Sequence, residues 1–204
     1  QVALRMRAPT PVGVSCDEQH HIDVAESGTS VRVRLFRPAG LRATPMPALV
    51  YMHGGAWMIG SPETHWDIAA GLAADCGVVV ISVDYALAPE QPFPAAFNDC
   101  RAVVRWAYDN AATLGLQANA IAVGGDSAGG NLAAALSLAL RGTPYAPRAQ
   151  LLIYPAVDFT LDRPSHRENA DGPIVTLASM PAVNAAYCPN PQDLLNPLAA
   201  PLRA

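Results

Sequence analysis

One serine in this chain stands where its hydroxyl could act as a nucleophile. Ser127 lies in Gly125-Asp126-Ser127-Ala128-Gly129, a G-x-S-x-G motif that follows the apolar residues 120–123 and precedes a run of small and apolar residues. A strand that turns sharply into a helix here would lift the hydroxyl clear of the sheet, and the flanking glycines permit so tight a backbone. The helix that follows would aim its N-terminal amides, and the positive end of its dipole, where an attacked carbonyl oxygen gathers negative charge. A serine hydroxyl needs a base to take its proton, and the base needs a group to orient it. The nucleophile is one part of a set.

A second constellation sits at the end of an earlier apolar run: His53-Gly54-Gly55-Ala56-Trp57. Small residues at a strand-to-loop turn leave backbone N–H groups free to point into a cleft. The expected oxyanion donors are the amides of Gly55 and Ala56, with Gly54 as a further candidate, together with that of Ala128 after the nucleophile. His53 is expected to orient this loop by hydrogen bonds. His20, His21 and His65 are expected at strand-edge and helix positions as surface residues. No His, Asp or Glu cluster has metal-ligand spacing, so neither a metal nor a cofactor is expected. Cys16, Cys76, Cys100 and Cys188 are far apart and are expected to be buried or free thiols.

The elements that must position these residues alternate between two periods. Residues 30–37, SVRVRLFR, alternate apolar and polar and predict a half-exposed strand paired with HIDVAE at 21–26. After the proline-rich link PAGLRATPMP come four apolar runs: ALVYMH at 48–53, VVVISV at 78–83, AIAVGG at 120–125 and QLLIYP at 150–155. Such runs suit strands buried on both faces of a parallel sheet. Helices are predicted between them: from Ser61 as N-cap and Pro62 as first residue to Cys76, over 95–111, and from Ala128 to Leu140. This order predicts an α/β fold with helices on both sheet faces. From Asp158 onward prolines break the pattern into loops and short helices, so 1–204 reads as one domain with a covering region over 156–204.

Composition narrows the function classes. Apolar residues make up 51% and charged residues 15%, as expected of a chain with much two-sided burial. The formal charge is −4 and all thirteen cationic residues are arginines scattered along the chain, which disfavours a nucleic-acid partner. No apolar run approaches the ~18 residues of a membrane span. Residues 1–11 lack the apolar core of a signal peptide. The expectation is a soluble, cytoplasmic protein.

HGGAWMIGS, VDYALAPEQPFPAAFNDC and GGDSAGGNLA, in this spacing, resemble the hormone-sensitive-lipase-like carboxylesterases, the bacterial family IV esterases of the α/β-hydrolase fold. The resemblance covers nearly the whole chain. It implies Ser127 as nucleophile, the loop from His53 to Ala56 as the oxyanion loop, and a structural role for Asp84, Tyr85 and LAPE at 87–90. The implied reaction is hydrolysis of short-chain or aryl carboxylic esters through an acyl-enzyme, with a small-molecule ester as partner. A formamide- or amide-cleaving hydrolase is an alternative, and so is a non-catalytic binding protein like the gibberellin receptor. Ala56 stands where many members have a third glycine, which a backbone donor tolerates at negative φ. Ala86 stands where arginine is common.

The main departure lies at the end. Members carry the triad acid and histidine on loops of two further strands, and in the family the order is serine, acid, histidine, which argues against His53 as the base. After Ser127 this chain has one histidine, His166, and only Asp158 and Asp162 precede it in the right order. That separation is too short for a parallel crossover of about a dozen residues. The expectation is therefore a chain clipped at both ends, lacking the acid, the histidine and part of the cap, and inactive alone. Residues 150–155 would then form an exposed sheet edge prone to self-association.

Overall fold

A computed structural model describes residues 9–40 and 45–204 and has a six-stranded sheet at its centre. Its strands are β1 (Val14–Val24), β2 (Thr29–Pro38), β3 (Met46–Met52), β4 (Val79–Asp84), β5 (Leu116–Asp126) and β6 (Gln150–Ile153), in the order β1-β2-β4-β3-β5-β6. The β1–β2 hairpin and the β2–β4 pair are antiparallel, whereas β4, β3, β5 and β6 run parallel. The predicted hairpin and the four apolar runs all form strands. Expectations for residues 1–8 and 41–44 and for the Cys16 side chain lie outside the described residues.

The central strands are apolar on both faces because helices cover both. Leu49, Tyr51 and Val80 pack with Phe36 under α1 (Trp66–Cys76), against Trp66, Ala69, Ala70 and Ala73. Their neighbours Val50, Met52, Ile81 and Val83 point the other way, into the core shared with α2 (Ala95–Asp109) and α3 (Ala128–Ala139). The alternation of side chains in a strand thus serves two helical layers. Beyond β6 the chain forms only α4 (Pro164–Glu168), α5 (Met180–Tyr187) and three short 3-10 turns, as its prolines predict.

One helix boundary differs from expectation. Ser61 does not cap α1, which starts at Trp66 after His65. Ser61 Oγ instead accepts the N–H groups of Glu63 and Thr64, and residues 61–64 form a turn. Glu63 explains the turn: its carboxylate meets Arg32 Nη1 and Nη2 at 2.8 and 2.9 Å and Arg34 Nε at 2.6 Å, which ties it to β2. The two Arg32 bonds, with the other arginine beside them, hold the Glu63 pKa down at about 2.

β6 is the sheet edge, pairing with β5 alone, and Leu151 on it is 38% exposed. Cys100 and Cys188 are buried free thiols, and burial pushes Cys188 up to about 12. Cys76 is free and exposed. No helix among the described residues is long and apolar enough to cross a membrane.

Candidate active site

The serine stands at the junction the sequence predicts. β5 ends at Asp126, α3 begins at Ala128, and Ser127 between them has φ 52° and ψ −113°. A residue with a Cβ pays roughly 1–3 kcal/mol for such a backbone, so its surroundings must hold it there. They do so from both sides. The Ser127 N–H donates to the Ile153 carbonyl at 2.9 Å, and its own carbonyl accepts from Asn131 N–H at 3.0 Å and Ala156 N–H at 3.2 Å. The side-chain amide of Asn131 donates to the Ala156 and Ala199 carbonyls, pinning the chain after β6 against the first turn of α3. Ser127 is half-buried.

The motif's glycines are required by close approach of β3. A Cβ on Gly125 would lie 2.2 Å from the Met52 carbonyl oxygen, and one on Gly129 would lie 2.0 Å from the same atom. The end of β3 therefore passes directly against the elbow, and the loop that follows it, residues 53–57, is delivered beside Ser127.

In that loop the Gly55 carbonyl accepts the N–H groups of Met58 and Ile59, closing a tight turn. Gly55, Ala56 and Trp57 all have positive φ, at 125°, 53° and 58°. Among the described residues the N–H groups of Gly55, Ala56 and Ala128 donate to no acceptor, while Gly55 and Ala56 remain half-buried at the cleft. Two expectations need correction. The Gly54 N–H is not a spare donor, because it is committed to Asp126 Oδ1 at 2.9 Å. Nor does Ala56 keep a negative φ: it adopts the left-handed conformation a glycine would take without strain. Behind the loop, Tyr187 of α5 stacks on Trp57 with ring centroids 4.1 Å apart and planes 6° from parallel.

His53 is fully buried and organises this loop. Its Nδ1 lies 2.8 Å from the Gly54 carbonyl, an acceptor only, so Nδ1 carries the hydrogen. The ring stacks on Tyr85 at 4.2 Å, and Tyr85 O–H donates to the His53 carbonyl at 2.6 Å. Burial lowers the His53 pKa to about 4, which keeps it neutral. Gly60 completes the packing, since a Cβ there would lie 2.5 Å from His53 Nδ1. The segment after β4 thus supports the loop rather than reaching the cleft: Asp84 pairs with Arg32, and Asp99 accepts the Ala86 N–H.

Asp126, the residue before the nucleophile, joins the two halves of the site. Oδ1 accepts from Tyr51 O–H at 2.7 Å as well as from Gly54 N–H, and Oδ2 lies 3.5 Å from His65 Nε2. Burial alone would raise its pKa. The contacts with His65, Tyr51 and Gly54 outweigh burial and leave it lowered. His65, expected on the surface, is in fact turned inward at the start of α1. Tyr51 was invisible as a site residue because in sequence it is one apolar position of a buried strand.

No histidine among the described residues forms a hydrogen bond with Ser127 Oγ. His166 and Asp158 line a cavity of about 510 Å³ with Phe159, Leu161, Leu177 and Met180, but they do not pair. Asp158 is held by Thr160, Arg203 and Arg163.

Residues 49–204 match the family described as the alpha/beta hydrolase fold. The chain belongs to that family, in its hormone-sensitive-lipase-like carboxylesterase group. The chain is 43% identical over 162 residues to carboxylesterase NlhH of Mycobacterium tuberculosis, a match covering 79% of this chain and 50% of that protein. It is 39% identical over 178 residues to the ethyl acetate hydrolase of Pseudomonas putida, covering 86% of this chain and 56% of the other. The hyperthermophilic esterase of Pyrobaculum calidifontis superposes with a TM-score of 0.87 at 39% identity, over 100% of this chain and 66% of that one. The chain thus spans about half the length of these curated relatives.

Proposed function

We propose that this chain carries the nucleophile and oxyanion loop of a serine carboxylesterase acting on short-chain or aryl esters. Ser127 Oγ attacks the ester carbonyl while its proton passes to a base. The carbonyl oxygen gains charge opposite the amides of Gly55, Ala56 and Ala128, the alcohol leaves with a proton, and water then releases the acid from Ser127. Each oxyanion donor contributes about 3 to 4 kcal/mol to the transition state. The observation that carries this reading is the strained Ser127 on an elbow packed against the end of β3, with unbonded amides on Ala128 after it and on Gly55 and Ala56 in the loop that follows β3. Relatives named for ester hydrolysis support it.

Among the described residues no histidine bonds Ser127 Oγ, so for the 204-residue chain only the ~10³ to 10⁴-fold contribution of binding and oxyanion stabilisation is expected. The test is hydrolysis of p-nitrophenyl acetate and butyrate by the 204-residue chain and by Ser127→Ala, alongside labelling with a fluorophosphonate. Weak or absent turnover is expected, with any residual rate lost in Ser127→Ala. Full esterase rates would reveal a base within the chain, and residual hydrolysis unaffected by Ser127→Ala would remove Ser127 from the chemistry.

A further inference from the structure

The hydrogens around His65 determine what it does to Asp126. His65 Nδ1 lies 2.9 Å from Thr64 Oγ1. That hydroxyl has a single hydrogen, which it donates to the Ser61 carbonyl at 2.8 Å, and it already accepts the Ser61 N–H at 2.9 Å. Toward the ring it can only accept, so Nδ1 carries a hydrogen. On the other side Nε2 faces Asp126 Oδ2 at 3.5 Å. Asp126 Oδ2 belongs to a carboxylate that also accepts from Tyr51 and Gly54, and it is the acceptor this ring nitrogen faces. His53, whose ring centroid is 5.5 Å away, is the opposite case: one N–H, given to Gly54, and a buried Nε2 with no partner.

We propose that His65 is a positioning residue of this site that clamps Asp126 and, through it, both the Gly54 end of the loop after β3 and the backbone entering Ser127. Four elements meet at this clamp: the 61–64 turn leading into α1, the end of β3, the loop after it and the end of β5. The crowding leaves no slack, since a Cβ on Gly54 would sit 2.2 Å from Asp126 Oδ2. Glu63 is held by Arg32 and Arg34, and burial keeps His53 neutral and Tyr51 protonated. Asp126 is the carboxylate in contact with His65.

The consequence for turnover rests on the reading of Ser127 as nucleophile, but the clamp itself can be tested without any ester. In wild type, long-range ¹H–¹⁵N spectra should show His53 with two widely separated ring nitrogen shifts, the neutral reference against which the site is read. The Gly54 amide should be protected from hydrogen exchange. His65→Ala should lower that protection at least tenfold while amides of β4 are unchanged, and His65→Gln, which keeps one side-chain N–H toward Asp126, should restore part of it. Equal Gly54 protection in wild type and both variants would overturn the proposal. If His65→Ala fails to fold, the comparison of wild type with His65→Gln decides, equal Gly54 protection in the two overturning it. Residual ester hydrolysis unaffected by Ser127→Ala would sink the proposed function and leave this clamp standing.

Discussion

The backbone N–H of Gly54 and the carboxylate of Asp126 meet at 2.9 Å, although 72 residues separate them in sequence. This single bond fastens the loop after β3 to the residue before Ser127, so neither half of the candidate site can shift without the other. It also explains why the Gly54 N–H, a fourth candidate oxyanion donor in sequence, is unavailable.

That bond yields a graded pair of substitutions. Asp126→Asn keeps an oxygen for Tyr51 and Gly54 and turns an amide toward His65, so a loss of about 1 kcal/mol is expected. Asp126→Ala removes every acceptor from a buried site and should cost about 3 kcal/mol. Chemical denaturation with urea gives both values. Equal losses would mean that the Oδ1 contacts contribute little.

Ala56 stores strain that a glycine would relieve. With φ at 53°, Ala56→Gly should raise stability by about 1 kcal/mol, visible as a higher midpoint in urea. Elsewhere alanine-to-glycine changes lower stability through the unfolded chain, so the sign is diagnostic. A lower midpoint would show that the loop relaxes in solution to a negative φ.

His53 should make the fold acid-sensitive above the carboxylate range. Its pKa is about 6.5 unfolded and, through burial, about 4 folded. Between these values the unfolded chain binds the proton and the folded one does not. The stability it contributes is complete above pH 6.5 and is lost as pH falls toward 4, a total on the order of 3 kcal/mol. Unfolding measured from pH 7 to 4 in wild type and in His53→Gln would show it, the variant having the shallower slope. Parallel slopes would mean that the ring is hydrated or protonated in the folded state.

The edge of β6 should drive self-association. Gln150 and Leu151 are exposed on a strand paired on one side only. Light scattering of the 204-residue chain should show mass rising with concentration, and Leu151→Lys should reduce it severalfold. A concentration-independent monomer would show that the edge is protected.

Local chemistry made most of the architecture readable in sequence. Continuous apolar runs marked β3 to β6, alternation marked the β1–β2 hairpin, and glycines around Ser127 marked a turn where nothing larger fits. Those signals depend on neighbours within a few residues, and so did the reading of Ser127, Gly55, Ala56 and Ala128 as candidates. The tertiary structure decided which contacts the polar groups near the serine make. The Gly54 N–H braces Asp126 and is not a spare oxyanion donor because β3 and β5 lie side by side, and only pairing between strands brings it to Asp126. His65 faces inward because Glu63 is drawn to Arg32 and Arg34 on a distant strand, delaying the helix and placing the ring against the elbow. Hydrogen bonds between residues far apart in the chain leave no periodicity behind, so only the folded arrangement could assign them.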